Sequence, residues 1–187
     1  MQITHNYLVE QIQTATRDVL SMMMGIQAEC QAGYQSSADS ATGTVCSSKA
    51  GADSTKESVE AFVGISGPMV GTGTVSCDAD TACRLASAML MTEITGVSTE
   101  VLDAMGEVAN MIIGNLKTAI EERVGQLWLS VPSVVYGRNF TAHTVGKFEW
   151  TVVPIQLPAG SLMVRMCLTE AKKAPPGKHT SETSAAF

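Results

Sequence analysis

The sequence predicts an α+β fold in which an antiparallel sheet is covered by helices, and two observations support this prediction. The predicted elements run in the order helix, two strands, two helices and three strands, which is typical of α+β domains. The first two strand-like runs are separated only by Gly67 and Pro68, and so short a connection joins antiparallel strands. The length of 187 residues fits one domain, which we place at residues 1–170.

The amino-terminal part contains one helix and one polar segment. Apolar residues recur at steps of three and four over residues 6–24, which predicts the first helix, and Gly25 is placed to end it. Residues 27–57 are mostly small and polar, a composition that buries little surface. We therefore expect a flexible loop or insertion there, with Val45 and Cys46 as its candidate short strand.

The remaining elements follow from alternation and capping signals. Alternation over 59–66 and 69–77 predicts a hairpin, and Asp78 is suited to cap a second helix that reaches Leu90. Ser98 or Thr99 can cap a third helix, which runs to about Arg123. Three strand-like runs follow at 127–136, 147–157 and 161–169, and residues 171–187 are predicted to be a disordered tail.

Composition argues against several classes of function. The chain has 12 basic and 18 acidic residues without a basic cluster, which does not favour nucleic-acid binding. Its apolar runs are far shorter than the ~20 residues of a membrane span. The amino terminus lacks a basic segment followed by an apolar one, so we expect no secretory signal and a cytoplasmic protein.

The cysteines and histidines indicate neither disulfides nor a metal site. An odd number of cysteines without a C-x-x-C pair is typical of reduced thiols. The five are Cys30, Cys46, Cys77, Cys83 and Cys167. The three histidines lie far apart and lack the spacing of metal ligands, so we expect no metal site in this chain.

The third predicted helix carries a polar stripe opposite an apolar one. At about 100° per residue, the polar stripe faces away from the core. It consists of Asp103, Glu107, Asn110, Gly114, Lys117 and Glu121. Glu107 and Asn110 are three residues apart and therefore neighbours on the surface. An amide is suited to positioning a water molecule, and a carboxylate can pair with a cation of a docking partner.

Two glycines flank this pair, Gly106 and Gly114. A glycine inside a helix costs about 0.5–1 kcal/mol relative to alanine, so the close approach of another chain is one reason to retain it. From this pattern alone, a solvated helix face with two chance glycines remains an alternative interpretation.

A wider resemblance adds to this pattern. The segment from Asp103 to Gly114 resembles the D/S-x-x-x-E-x-x-N signature of the CheX/CheC/FliY chemotaxis phosphatases. The later Leu129-Ser-Val-Pro132 resembles the strand that follows this signature in the family. Twenty-one residues lie between Asn110 and Pro132, one fewer than in the family pattern.

CheC-type proteins carry two such motifs, whereas CheX carries one. The nearest second candidate in this chain is Glu10 with Gln13 on the first helix, where glutamine replaces the asparagine of the motif. The sequence therefore resembles CheX more than CheC, and one active face per protomer is implied.

The resemblance implies a CheC-like fold and a phosphatase that acts on the aspartyl phosphate of a CheY-like receiver domain. Asn110 would orient the attacking water, Glu107 would pair with the receiver's lysine, and Asp103 would support the helix or the interface. The receiver would supply Mg²⁺, so no cofactor of the chain's own is implied. This scheme agrees with a sequence that lacks a recognisable nucleophile–base pair or phosphate loop. The family also implies a homodimer formed through sheet edges.

Two other classes of function remain open. A non-catalytic binding or scaffold module, similar to flagellar switch domains, would be favoured if Glu107 and Asn110 were buried or capped each other. A small-molecule site in a methionine-rich core is a weaker alternative, because methionines at helical spacing usually fill cores. These methionines are Met22, Met23, Met24, Met89 and Met91.

Overall fold

The structure is a computed structural model that describes residues 3–37, 44–46, 57–140, 142–143 and 148–171. Within these ranges the helices are α1 (His5–Met24), α2 (Ala79–Leu90) and α3 (Thr99–Val124). The strands are β1 (Glu29–Cys30), β2 (Tyr34–Ser37), β3 (Thr44–Cys46), β4 (Ser58–Ser66), β5 (Met69–Asp78), β6 (Trp128–Leu129), β7 (Ser133–Gly137), β8 (Ala142–His143), β9 (Glu149–Leu157) and β10 (Gly160–Glu170).

One antiparallel sheet forms the centre of the fold. Its strands lie in the order β1-β9-β10-β5-β4-β6, while β2 also pairs with β9 and β7 also pairs with β4. The predicted hairpin is present as β4 and β5, which pair from Ser58 and Asp78 to Ile65 and Gly71. The predicted antiparallel sheet with helices is thereby confirmed.

The main core lies between the helices and one face of the sheet. Alternate residues of β4 point into it, because side chains along a strand alternate between its two faces. These residues, Val59, Ala61, Val63 and Ile65, are at most 5% exposed. Helix α3 contributes the predicted apolar stripe, with Met105, Ala109, Ile112, Leu116 and Ile120 fully buried. Leu102, predicted in the same stripe, is only half-buried.

The predicted helix boundaries are confirmed by their caps. Gly25 ends α1 with a positive φ of 65°, a conformation that glycine adopts at little cost. Asp78 begins α2, and its carboxylate accepts a hydrogen bond from the backbone N–H of Thr81 at 2.8 Å. Ser98 occupies the cap position of α3, but its side chain forms no capping hydrogen bond, so this cap is confirmed in position only.

The expectation of a loop over residues 27–57 needs correction for its first part. Strands β1 and β2 lie there and pair with β9, with Glu29 opposite Gln156 and Tyr34 opposite Val152. Main-chain hydrogen bonds to β9 hold this polar segment, and such bonds leave no pattern in side-chain composition. The candidate strand at Val45 and Cys46 is present as β3, which pairs with β8. Residues 38–43, 47–56 and 172–187 lie outside the described residues.

The predicted strand at 127–136 was wrong as a single element, because it is two strands. Both β6 and β7 pair with β4, and residues 130–132 separate them. Pro132 has no N–H to donate to a ladder. Ser130 instead forms two hydrogen bonds with Gly64 of β4. Its hydroxyl oxygen accepts from the backbone N–H of Gly64, and its own backbone N–H donates to the Gly64 carbonyl oxygen.

Candidate functional site

Glu107 and Asn110 lie one turn apart on the side of α3 that faces away from the core. Glu107 is exposed and Asn110 is half-buried, while Val108 and Ala109 between them are fully buried. Within the described residues, neither polar side chain forms a hydrogen bond or an ion pair. The helix therefore presents a carboxylate and an amide, both available to a partner, from a backbone that core packing holds in place.

A cleft of about 460 Å³ lies beside Glu107, between α3 and the connection from β6 to β7. Helix α3 contributes Leu102, Asp103, Gly106 and Glu107 to its lining. Across the cleft lie Val131, Pro132 and Val134. The two segments of the motif, which are far apart in the sequence, thus line the same cleft. Glu107 borders it together with Pro132, whereas Asn110 lies outside the lining.

The two glycines of the predicted site have different surroundings. Gly106 is buried, and a Cβ added there would lie 3.4 Å from Val134 Cγ2 and 3.7 Å from Pro132 Cβ. Gly106 therefore packs against the chain's own β7 and Pro132 at the wall of the cleft, which gives a reason within the chain for retaining a small residue there. A Cβ added at Gly114 would meet no atom of the described chain within 4 Å. Gly114 alone leaves open space on the face that carries Asn110.

Two carboxylates of the stripe differ in their partners. Asp103 is exposed, one turn before Glu107, and has no ion pair within the described ranges. Glu121 accepts a hydrogen bond from the backbone N–H of Leu127 at 2.6 Å and pairs with Lys117 at 2.9 Å. The Leu127 bond and then Lys117 lower the pKa of Glu121 below its ordinary value. Lys117 therefore neutralises Glu121, and the cleft end of the stripe keeps its negative charge.

The second candidate pair, on α1, is arranged differently. The amide of Gln13 donates a hydrogen bond to the carbonyl oxygen of Gln31 at 3.1 Å, while Glu10 is exposed. The Gln13 amide is thus engaged within the chain, unlike that of Asn110. The two pairs thus differ in structure, and one active face per protomer stays a prediction.

The described residues give few other candidates for chemistry. Among them, no group of three or more histidine, cysteine or acidic residues could hold a metal ion. The four cysteines with described side chains carry free thiols. Helices long and apolar enough to cross a bilayer are absent from the described ranges.

A comparison with known protein families identifies the family of this chain. The family model of the chemotaxis phosphatase CheX matches residues 59–156, slightly more than half of the sequence. The chain belongs to the CheX family. The matched region contains Glu107, Asn110 and Pro132, and the resemblance inferred from the sequence is confirmed.

Solved structures agree with this CheX assignment. CheX from Desulfovibrio desulfuricans is 29% identical, with a TM-score of 0.69 over 87% of this chain and 99% of that chain. A CheC-like superfamily protein from Shewanella sp. PV-4, 18% identical, has a TM-score of 0.70 over 87% of this chain and 97% of that one. At this identity the likeness concerns the fold alone, and it confirms the CheC-like fold.

A third structure is a complex of CheX, CheY, BeF₃ and Mg²⁺ from Borrelia burgdorferi. The matched chain of that complex is 23% identical to this CheX-family chain, with a TM-score of 0.69 over 87% of this chain and 98% of that one. This likeness too concerns the fold. No curated protein sequence matches the chain.

Proposed function

We propose that this chain hydrolyses the aspartyl phosphate of a CheY-like receiver domain, with Asn110 and Glu107 as its catalytic residues. The observation that supports this most directly is that both side chains are available on the same face of α3. The scaffold alternative would be favoured by a buried or mutually capped pair. The cleft shared with Pro132 bounds the site on the Glu107 side of the pair.

The neighbouring complex supports the choice of partner. The Borrelia burgdorferi protein is seen with CheY, BeF₃ and Mg²⁺. By this likeness, the substrate is a receiver in chemotaxis or another two-component pathway of the cytoplasm. Mg²⁺ would arrive bound to the receiver and stabilise negative charge on the phosphoryl group. The unneutralised carboxylates of Asp103 and Glu107 complement a cation on such a partner.

The proposed chemistry needs positioning rather than a covalent intermediate. Water attacks phosphorus, the bond from phosphorus to the aspartyl oxygen breaks, and the products are inorganic phosphate and a free carboxylate. The Asn110 amide orients this water in line with the breaking bond. Glu107 pairs with the receiver's lysine and sets the docking geometry. Asp103, one turn earlier, supports the interface.

We also propose that the chain forms a homodimer through a sheet edge. The β1–β2 edge lies at the opposite end of the sheet from the cleft and carries Tyr34, a large side chain that is 48% exposed. An open strand edge has unpaired backbone groups that a second copy can pair with, and pairing there leaves the cleft free for the receiver. Analytical ultracentrifugation tests this, and a monomer at high protein concentration would exclude a stable dimer.

Decay of the phosphorylated receiver tests the proposed activity. CheY-like receivers of the same genome are phosphorylated, and phosphate release is followed with the wild-type chain, Asn110→Ala and Glu107→Gln. We expect the wild type to accelerate release, and each substitution to reduce the acceleration by about 100-fold, since loss of positioning costs about that much.

Matched controls come from exposed residues on the same helix. Asn115→Ala removes an amide, and Glu122→Gln removes a charge, both outside the lining of the cleft. Both variants should retain the wild-type acceleration. A wild-type chain that leaves the decay of every receiver unchanged would favour the scaffold function instead.

A further inference from the structure

An exposed valine lies on a firmly held backbone beside the proposed site. Val131 is 85% exposed, although it lies between two strands that both pair with β4. The backbone N–H of Ser130 donates to Gly64 O at 2.9 Å, and Gly64 N–H donates to Ser130 Oγ at 2.8 Å. Ser130 Oγ in turn donates to the carbonyl oxygen of Val131 at 2.9 Å. The backbone that carries this apolar side chain is thus held in place before any partner binds.

The cleft around this valine combines apolar and acidic parts. Val131, Pro132 and Leu102 supply apolar surface, and Asp103 and Glu107 supply unneutralised carboxylates. Its volume of about 460 Å³ is within the range of sites that take up a small ligand or a few side chains. Charge complementarity therefore favours an occupant with an apolar side chain next to a cation.

We propose that Val131 and Leu102 take up an apolar side chain of the receiver, next to the cation that Glu107 pairs with, so that the cleft selects among receivers. This inference rests on the proposed function, because the occupant is the same receiver. A preorganised apolar contact loses little conformational freedom on binding, so its burial contributes directly to affinity. The contact is made in the ground state and the transition state alike, and it therefore lowers KM without changing kcat.

Isosteric variants of Val131 test the apolar contact. Val131→Thr retains the shape and β-branching but replaces a methyl with a hydroxyl, whereas Val131→Ile keeps the site apolar. We expect Val131→Thr to raise KM for a phosphorylated receiver by about tenfold with kcat unchanged, from the loss of buried apolar surface. Val131→Ile should retain the wild-type KM.

A second variant tests the preorganised backbone. Ser130→Ala removes the hydroxyl that joins Gly64 to the carbonyl of Val131 and leaves the apolar side chains in place. We expect KM to rise, as in Val131→Thr, with kcat unchanged. As a control, Met22→Gln removes an exposed apolar side chain, 79% exposed on α1, that does not line the cleft. That variant should behave as the wild type.

Direct binding separates this inference from the proposed activity. The receiver loaded with beryllium fluoride and Mg²⁺ is titrated into the full chain and its Val131→Thr variant by calorimetry, and we expect Kd to rise about tenfold in the variant. If the wild type accelerates phosphate release but Val131→Thr leaves KM and Kd unchanged, the inference is overturned and the activity stands. If no receiver is dephosphorylated but binding is weakened by Val131→Thr, the docking surface stands and the activity fails. If no receiver is dephosphorylated and Val131→Thr does not weaken binding, the proposed activity and this inference are both overturned.

Discussion

Arg165 and Glu60 form a buried ion pair across a strand that lies between them. Arg165 is on β10 and Glu60 on β4, and the Nη1 and Oε1 atoms are 3.1 Å apart over the intervening β5. Arg165 Nη1 also donates to Ser76 Oγ of β5 at 3.1 Å. Glu60 is 3% exposed and Arg165 is 9% exposed. The pair therefore connects the three central strands with side-chain contacts as well as backbone ladders.

We expect Arg165→Met to destabilise the fold strongly. The substitution leaves the stem volume but removes the cation that faces a buried carboxylate. Breaking a buried pair in this way costs about 3–5 kcal/mol of unfolding free energy. Urea unfolding measures the loss. The control is Arg138→Met, because Arg138 pairs with Glu57 at 3.1 Å from a side chain that is 63% exposed. That surface pair should contribute about 0–1 kcal/mol, so equal losses in the two variants would contradict the assignment.

Gly114→Ala should separate stability from activity. A Cβ at this position meets no described atom within 4 Å, so the variant should raise the unfolding free energy by about 0.5–1 kcal/mol. If a receiver approaches α3 closely beside Asn110, the added methyl should reduce the rate of phosphate release. Thermal unfolding and the phosphate-release assay measure the two effects.

The control for Gly114→Ala is Ser21→Ala, at an exposed position of α1. This substitution also replaces a residue by one of higher helix propensity. It should gain stability without losing activity. Full activity in Gly114→Ala would show that no close approach occurs at that position.

Glu121→Gln should reveal that Glu121, near the end of α3, contributes to the free energy of unfolding in a way that depends on pH. The backbone N–H of Leu127 and then Lys117 lower the folded-state pKa of Glu121. A lowered folded-state pKa gives stability that is present above the unfolded-state value of about 4.3 and is lost as pH falls through the folded-state pKa. The difference in unfolding free energy between wild type and Glu121→Gln should therefore shrink on acidification.

Urea unfolding at neutral pH and at about pH 3 measures this change, since pH 3 lies below the ordinary glutamate pKa. Glu122→Gln is the control, because that neighbour is exposed and has no hydrogen bond or ion pair in the described part of the chain. A difference for Glu121→Gln that stays constant with pH would exclude the ionic contribution.

Local signals in the sequence predicted much of the framework. The cap at Asp78, the left-handed residue Gly25 and the stripe that contains Glu107 and Asn110 depend on residues within one or two turns of each other. Such interactions are set by sequence spacing, so helix boundaries and the outward face of α3 follow from it. The family motif could be read because its first part lies on this one helix.

The sequence by itself thus determined the antiparallel α+β class, the three helices and the face on which Glu107 and Asn110 lie. The tertiary structure decided that residues 29–37 join β9, that Gly106 faces β7, and that Val131 and Pro132 lie across a cleft from Glu107. These outcomes depend on main-chain pairing and on contacts between residues far apart in the chain. Neither leaves a periodicity in side-chain polarity, which is the signal that sequence patterns report.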